Sequence, residues 1–328
     1  MKLRGAVYGC GMISEFHLRG WRRIPEVEIV ALGNRTLSRA EERRAQFAPQ
    51  APVFSDLAEM LRAVQPDFVD ILTAPRLHRE HCSIARQAGV HVICQKPLAD
   101  TLADAQAIAS DFQGYDKLFA IHENHRYRPW FQRTLSADLG SVEFVHIQHL
   151  NATHPGETYK NESETGVYLE YGSHLVDMMR ALMGEPDRVY ARFQRLNAHV
   201  RGESLAHVVH EYPNATAVID AGWKNAAITQ GSVLVAGSAA EAYYEGTLTR
   251  GENGRFRVTR GSETVLDETR SPLTDYVDSF YGLQRECADF MLGHRPTVQQ
   301  TAAEHLKTLR LTFAAYKSAE TGEAVTAI

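Results

Sequence analysis

The chain has 328 residues, a net charge of −5, 44% apolar and 23% charged residues. That is enough apolar material for a sizeable core or two, and a largely disordered chain is excluded. With no long basic run, a nucleic-acid or anionic-membrane surface is excluded as the main partner. The four cysteines (Cys10, Cys82, Cys94, Cys287) are scattered without CxxC or metal-finger spacing, so free thiols in a reducing, cytoplasmic setting are expected. The start "MKLRGAVYGCGM" is too short in its apolar run for a signal peptide, and no stretch reaches the roughly 18 apolar residues of a membrane span.

Strand-like and helix-like segments alternate through the first third. "LRGAVYG" (3–9) is a strand, "ISEFHLRGWRRI" a helix, "VEIVALG" (27–33) a strand and "SRAEERRAQF" a helix. "PVF" is a brief third strand before the helical "DLAEMLRAV"; "DFVDILTA" (67–74) and "VHVICQ" follow, each with a helix behind it, and "KLFAIHE" (117–123) is a sixth strand. This rhythm predicts βαβ units in a doubly wound parallel sheet over residues 1–123.

From residue 124 to 328 the pattern changes. "VEFVHIQHL", "RVYARFQRL", "LAHVVHEY", "TAVIDAGW", "GSVLVAG" and "AEAYYEG" read as successive strands, with "YPNAT" (212–216) as a hairpin turn. Helices are expected at 172–184, around 275–292 and at 301–319. The prediction is an α/β domain with a mostly antiparallel open sheet and helices on one face.

"GAVYGCGMIS" sets Gly9, Gly11 and the small Ser14 between the first strand and the first helix, in the positions of a dinucleotide fingerprint. A pyrophosphate there would rest on the backbone of Met12 and Ile13 at the helix start. Two glycines after a strand are also a common plain turn; the place at the head of an alternating pattern favours nucleotide binding. The second strand ends in "GNRTLS", with Asn34 where an acid would hold a ribose hydroxyl, and Arg35 and Ser38 able to hold a phosphate. NADP is slightly favoured over NAD, the alternative being an Arg35 that stacks on adenine or is a surface charge.

Those motifs together with "TAPRLHREH" (73–81), "CQKPLA" (94–99), "NHRYRP" (124–129) and "YLEYGSHLVDMMRALMG" (168–184) make the chain resemble, over its whole length, the Gfo/Idh/MocA family of sugar and polyol dehydrogenases. The resemblance implies an N-terminal Rossmann domain, a C-terminal substrate domain whose open sheet often supports a dimer or tetramer, and a nicotinamide cofactor. It implies that Lys96, in a Lys-Pro pair that is often cis, hydrogen-bonds the reacting hydroxyl beside the nicotinamide. Gln95 stands where the family has glutamate; a neutral amide can still hydrogen-bond, but it cannot pair with Lys96 as an ion. Thr73, His78, Gln95 and Lys96 line the cofactor by the same carry-over.

The family's aspartate and histidine at the start of a helix correspond to Glu170 and His174. His174 is then the general base, because an imidazole titrates near working pH. Glu170 binds a substrate hydroxyl or orients His174, a task Asp177 could take instead. A lone helical histidine is more often structural, and the family spacing tips the reading to catalysis. No metal is expected, since His78 and His81 in "LHREH" lack a metal-ligand spacing and belong to the cofactor loop. By family position Asn124, Arg126, Tyr127 and Trp130 begin the second domain near the substrate, followed by Asn151 and His154. Arg126 would favour a sugar acid if it met a substrate carboxylate, or it pairs within the protein. A neutral aldose is the first expectation, and "VICQKPLA" is similar to members acting on branched or short aldoses such as apiose. A non-catalytic sensor of dinucleotide or sugar, or an NAD-dependent glycoside hydrolase, are the alternatives.

Overall fold

The fold is taken from a computed structural model that describes residues 2–151, 163–223, 230–248 and 253–327. The chain forms two compact units, Met1–Asn124 with Val277–Leu306, and His125–Tyr276 with Lys307–Ile328. The chain changes unit one residue beyond the expected boundary at 123/124. The segment 277–306 then returns to the first unit, which a single boundary cannot describe.

The first unit follows β1 (Leu3–Tyr8), α1 (Ser14–Trp21), β2 (Val27–Gly33), α2 (Leu37–Phe47), β3 (Val53–Phe54), α3 (Leu57–Val64), β4 (Phe68–Ile71), α4 (His78–Gln87), β5 (His91–Gln95), α5 (Leu102–Asp111) and β6 (Phe119–His122). The six strands form one sheet in the order β3-β2-β1-β4-β5-β6, and every pair is parallel. Helices cover both faces of such a sheet, so its central strands are apolar throughout rather than alternating. β4 is buried at all four positions, and its one charge, Asp70, has no access to solvent. Helix starts are set locally: Asp56 accepts the Glu59 N–H at 2.8 Å, and Thr101 accepts that of Asp104 at 3.1 Å. The strand order reverses between β1 and β4, the position where ligands of open parallel sheets bind beyond the carboxyl ends of the strands.

The second unit contains α6 (Pro129–Ser136), β7 (Val142–Asn151), a π turn at Tyr168–Gly172 running into α7 (Ser173–Met183), and the strands β8 (Arg188–Gln194), β9 (Leu205–Tyr212), β10 (Ala215–Trp223), β11 (Gln230–Gly237), β12 (Glu241–Glu245), β13 (Gly254–Arg260) and β14 (Glu263–Arg270). α8 (Pro272–Met291) and α9 (Ala302–Thr321) follow, each divided between the units, and β15 (Val325–Thr326) closes the chain. Nine strands pair in the order β14-β13-β12-β11-β7-β10-β9-β8-β15. Only β7 and β10 run parallel; the other pairs are antiparallel. Alternate strand residues such as Val145, Ile147, Ile219 and Val235 pack against Leu175, Val176, Met178 and Met179 of α7 and Leu311 and Ala315 of α9. The expected "YPNAT" turn is the two-residue loop of the β9–β10 hairpin, with Tyr212 opposite Ala215. The β13–β14 hairpin and α6 lie outside the elements expected from sequence. β14, "ETVLDETR", is an edge strand with no buried residue, so it carries no apolar alternation to read.

Candidate active site

The loop after β1 is shaped by its first glycine. Gly9 has φ +111°, and a Cβ there would lie 2.7 Å from the Leu72 carbonyl carbon, so only glycine fits. At Gly11 a Cβ would meet nothing within 4 Å: the space over the loop is open, as a cradle for a pyrophosphate requires. Ser14, fully buried, donates to the Gly11 carbonyl at 2.6 Å and accepts from Arg43 Nε at 3.1 Å, which ties the loop to α2. Met12 is exposed and Ile13 half-buried at the start of α1. Asn34 turns inward: its Oδ1 accepts the Cys10 N–H at 3.0 Å and its Nδ2 donates to the Thr36 carbonyl at 2.9 Å. Arg35 and Ser38 beside it are exposed. These residues fit a nucleotide at the end of β1 and β2.

At the end of β5 the Lys96–Pro97 peptide is cis, and Lys96 is half-buried. Its backbone N–H donates to Gln95 Oε1 at 2.7 Å. The Gln95 amide in turn faces His17 Nε2 at 3.0 Å, and His17 Nδ1 lies 2.8 Å from Asp70 Oδ2. The loop after β4 packs beside this segment. His78, fully buried, has Nδ1 3.1 Å from the Leu98 carbonyl and Nε2 2.9 Å from that of Thr73, bridging the two strand ends. Burial pushes its imidazole down to about 4 against the help of those carbonyls, so the ring is neutral and donates to one of them at a time. Thr73 Oγ1 meets His81 Nδ1 at 2.9 Å. His78 therefore sits beneath the expected cofactor loop as its brace, and Thr73 is held from both its carbonyl and its hydroxyl.

In the second unit the π turn carries Glu170, half-buried, and delivers His174 as the second residue of α7, 5% exposed. A π turn inserts an extra residue into the helical register, so Glu170 and His174 are not related by a plain α turn as the spacing suggested. Glu203 anchors the turn, accepting the N–H groups of Gly166 at 2.9 Å and Tyr168 at 2.8 Å and the Tyr316 hydroxyl at 2.7 Å. His174 stacks on His125, with ring centres 3.8 Å apart and planes 19° from parallel. His125 Nε2 lies 3.2 Å from both the Tyr171 hydroxyl and Arg128 NH2. His149 stacks on Tyr171 at 3.8 Å; burial, then the Arg128 charge, push it down to about 3. His174 thus stands against the rings of His125 and, edge-on, Tyr171.

Three expected substrate contacts are engaged elsewhere. Arg126 grips Asp177 with both prongs, Nε to Oδ2 at 2.6 Å and NH2 to Oδ1 at 2.7 Å, which is the internal pairing rather than one to a substrate carboxylate. Asp177 is also reached by Thr308 at 3.2 Å, so it anchors α7. Burial pushes its carboxyl up, against the pull of Arg126. Asn124 donates to Ser279 Oγ at 2.6 Å within the first unit. Trp130 is fully buried in the second core, stacked on Tyr244 at 4.2 Å. Tyr127 is half-buried after β6, and Asn151 ends β7 opposite Trp223; His154 lies outside the described residues. Sequence reasoning missed His17, Asp70 and Glu203, which belong to no local motif, and passed over His125 and Arg128 inside "NHRYRP".

Comparison with known proteins is consistent with both units. The profile described as "Oxidoreductase family, NAD-binding Rossmann fold" matches residues 3–122, and that of the "GFO/IDH/MocA C-terminal domain" matches 132–243. A D-apiose dehydrogenase of Paraburkholderia graminis is 32% identical, over 99% of this chain and 89% of its own. A D-apiose dehydrogenase of Rhizobium rhizogenes is 26% identical, over 99% of this chain and 97% of its own. Among solved structures, an oxidoreductase from Agrobacterium radiobacter in complex with NAD+, L-tartaric acid and magnesium superposes with a TM-score of 0.86. It is 24% identical, and the match covers 100% of this chain and 99% of that one, so the fold is shared throughout.

Proposed function

From the premise that this chain belongs to the Gfo/Idh/MocA family of oxidoreductases, we propose that it moves hydride reversibly between one carbinol of a short or branched aldose, apiose in the first instance, and a nicotinamide dinucleotide. It is an NAD(P)-dependent sugar oxidoreductase of the CH–OH donor class. The observation that carries the substrate is the full-length similarity to two D-apiose dehydrogenases. The internal pairing of Arg126 with Asp177 supports a neutral sugar over a sugar acid.

Bound nicotinamide supplies the hydride acceptor; the residues supply orientation and proton handling. Gly9, Gly11, Met12 and Ile13 cradle the pyrophosphate. Arg35 and Ser38, exposed and with no carboxylate at position 34, favour the 2′-phosphate of NADP, with NAD the alternative. Lys96 Nζ holds the reacting oxygen and favours its alkoxide. His174 Nε2 or Nδ1 takes the hydroxyl proton, with Glu170, Tyr127 and Asn151 binding the remaining hydroxyls. The same reading makes the enzyme a homo-oligomer. It is supported by Phe144, Val218, Leu234 and Tyr243, half-buried on the sheet face turned away from α7 and α9. The four free, buried thiols suit a cytoplasmic enzyme.

The test is the appearance of reduced nicotinamide, followed by its near-ultraviolet absorbance, against a panel of aldoses, polyols and sugar acids with NAD and NADP in parallel. Lys96→Ala should lower kcat on the order of 10³-fold with nucleotide binding retained. Nucleotide binding without turnover of any panel member would replace the enzyme by a sensor.

A further inference from the structure

One face of the first sheet carries a row of polar groups that the reaction does not use directly. Asp70 of β4 lies opposite Ile93 of β5, and Gln95, two residues on, lies opposite His122 of β6. All three polar residues therefore point to the same side. α1 meets that side with His17 and Trp21, four residues apart and so on one helical face. The contacts form an unbroken chain: Lys96 N to Gln95 Oε1 at 2.7 Å, Gln95 Nε2 to His17 Nε2 at 3.0 Å, His17 Nδ1 to Asp70 Oδ2 at 2.8 Å, and Trp21 Nε1 to the same oxygen at 2.7 Å. His17 and Asp70 have no exposure to solvent.

Donors and acceptors can be assigned along this chain in only one way. The Lys96 N–H is an obligatory donor, so the amide oxygen of Gln95 faces it and the amide NH2 faces His17. His17 Nε2 must then offer a lone pair, and its only hydrogen sits on Nδ1, donated to the Asp70 carboxylate. Every bond runs in one direction, from the lysine backbone to the buried acid. Around His17 stand the ring of His122, 4.0 Å away, and the edge of Phe280 from α8 at 5.1 Å. Gln284 of α8 holds the His17 carbonyl at 3.0 Å. His122 is pushed well below its usual range, foremost by burial, and the thiols of Cys94 and Cys287, both buried, feel Asp70. Asp70 is the charged group paired with the ring.

We propose that His17 and Asp70 are positioning residues for Lys96, acting through Gln95, and that Gln95 in place of the family's glutamate is what keeps His17 a neutral Nδ1–H imidazole. This rests on the reading of Lys96 as the group that holds the reacting oxygen. A carboxylate at position 95 would set its lone pairs against that of Nε2. The clash is relieved by one proton, which converts His17 to an imidazolium between two acids. Gln95 therefore uncouples the lysine's placement from any proton on His17.

Long-range proton–nitrogen NMR of the full-length protein labelled in its histidine rings reads this directly, with His17 assigned by the resonances lost in His17→Asn. Wild type should show one protonated and one bare nitrogen at neutral pH, and Gln95→Glu should show both protonated. In turnover assays with the sugar found above, His17→Asn should lower kcat roughly ten- to a hundredfold with the nucleotide Kd unchanged. Gln95→Glu should gain an alkaline limb in its pH profile, where the extra proton is lost. A wild-type His17 protonated at Nε2 overturns the proposal, whether or not Gln95→Glu folds. An unchanged ring pattern in Gln95→Glu, or an unchanged kcat in His17→Asn, does the same. A Lys96→Ala enzyme that still turns over would remove the catalytic role of the lysine, whereas the His17 ring pattern would still decide the hydrogen-bond chain.

Discussion

The two units solve the same problem, how to fix a polar side chain away from water, with different chemistry. Behind the strand ends of the first unit the linking residues are amides. Asn34 joins Cys10 N–H to the Thr36 carbonyl, and Gln95 joins Lys96 N–H to His17. Both stand at positions where the dinucleotide fingerprint or the family motif carries an acid. In the second unit the links are ion pairs: Arg126 with Asp177, Arg180 with Glu185, and Arg270 with Asp275. An amide both donates and accepts, so it can bridge an N–H to an acceptor without bringing in charge. A carboxylate needs donors on every side, which guanidinium groups supply in pairs. The first unit thus adds no charge at the residues next to the proposed lysine and keeps the Asp70 carboxylate at the far end of the chain, and the second spends its charges on anchoring helices.

The difference predicts unequal costs for removing one partner. Arg126→Ala leaves Asp177 buried with its strongest partner gone and should destabilise the second unit by roughly 3–5 kcal/mol. Gln95→Ala should cost the first unit about 1–2 kcal/mol, the loss of neutral hydrogen bonds. Urea unfolding followed by hydrogen exchange separates the units, because α7 amides report on one and β4 and β5 amides on the other. The paired replacement of Arg126 by Met and Asp177 by Leu should recover most of the loss. Equal costs in the two units would remove the distinction.

This contrast also marks what can be read in a sequence. The parallel sheet is legible because strands covered on both faces are apolar runs, and Gly9 is legible because one backbone conformation demands it. The chain behind Lys96 is not. Asp70 reads as a flaw in "DFVDILTA", and His17 as one histidine among fifteen. Its three side chains are 53 and 78 residues apart along the chain and meet only through the order of the strands. Arg126 shows the same limit differently. Its residue type suits a substrate carboxylate or an internal one equally, and only the place of Asp177, 51 residues on, decides. The register change at the π turn before His174 has no signature in the spacing of "LEYGSH".

Acid should test the first unit through its buried histidines, since its amides take up no proton. His78 is held down to about 4 by burial, below its ordinary 6.5. Between those values the unfolded chain binds a proton that the folded protein refuses, so stability is complete above about pH 6.5 and falls as pH drops towards 4. The full window is worth about 3 kcal/mol for this one ring. His78→Gln, which can still donate to one of the two carbonyls, should flatten the acid limb of a stability–pH curve by one proton while lowering stability at neutral pH only slightly. An unchanged slope would place the acid sensitivity in other rings held down by burial, His91 and His122 of the first unit or His149 and His210 of the second.

The smallest effect is expected at Asn34, and it is the most direct probe of why an amide stands there. Asn34→Asp keeps an oxygen for the Cys10 N–H, but it loses the donor to Thr36 and turns a carboxylate towards that carbonyl. Unlike position 95, no histidine stands opposite to absorb the mismatch with a proton, so the carboxylate must swing out towards Arg35. There it would accept a ribose hydroxyl and repel a 2′-phosphate. The ratio of NADP to NAD affinity should then fall about tenfold, or roughly 1.4 kcal/mol. Titration of each dinucleotide into wild type and variant measures it. A ratio that does not move would mean that Asn34 serves the glycine loop alone and that Arg35 and Ser38 do not read the ribose. A ratio that falls would show one amide doing two things, holding the loop while leaving room for a phosphate, where an acid could do only one.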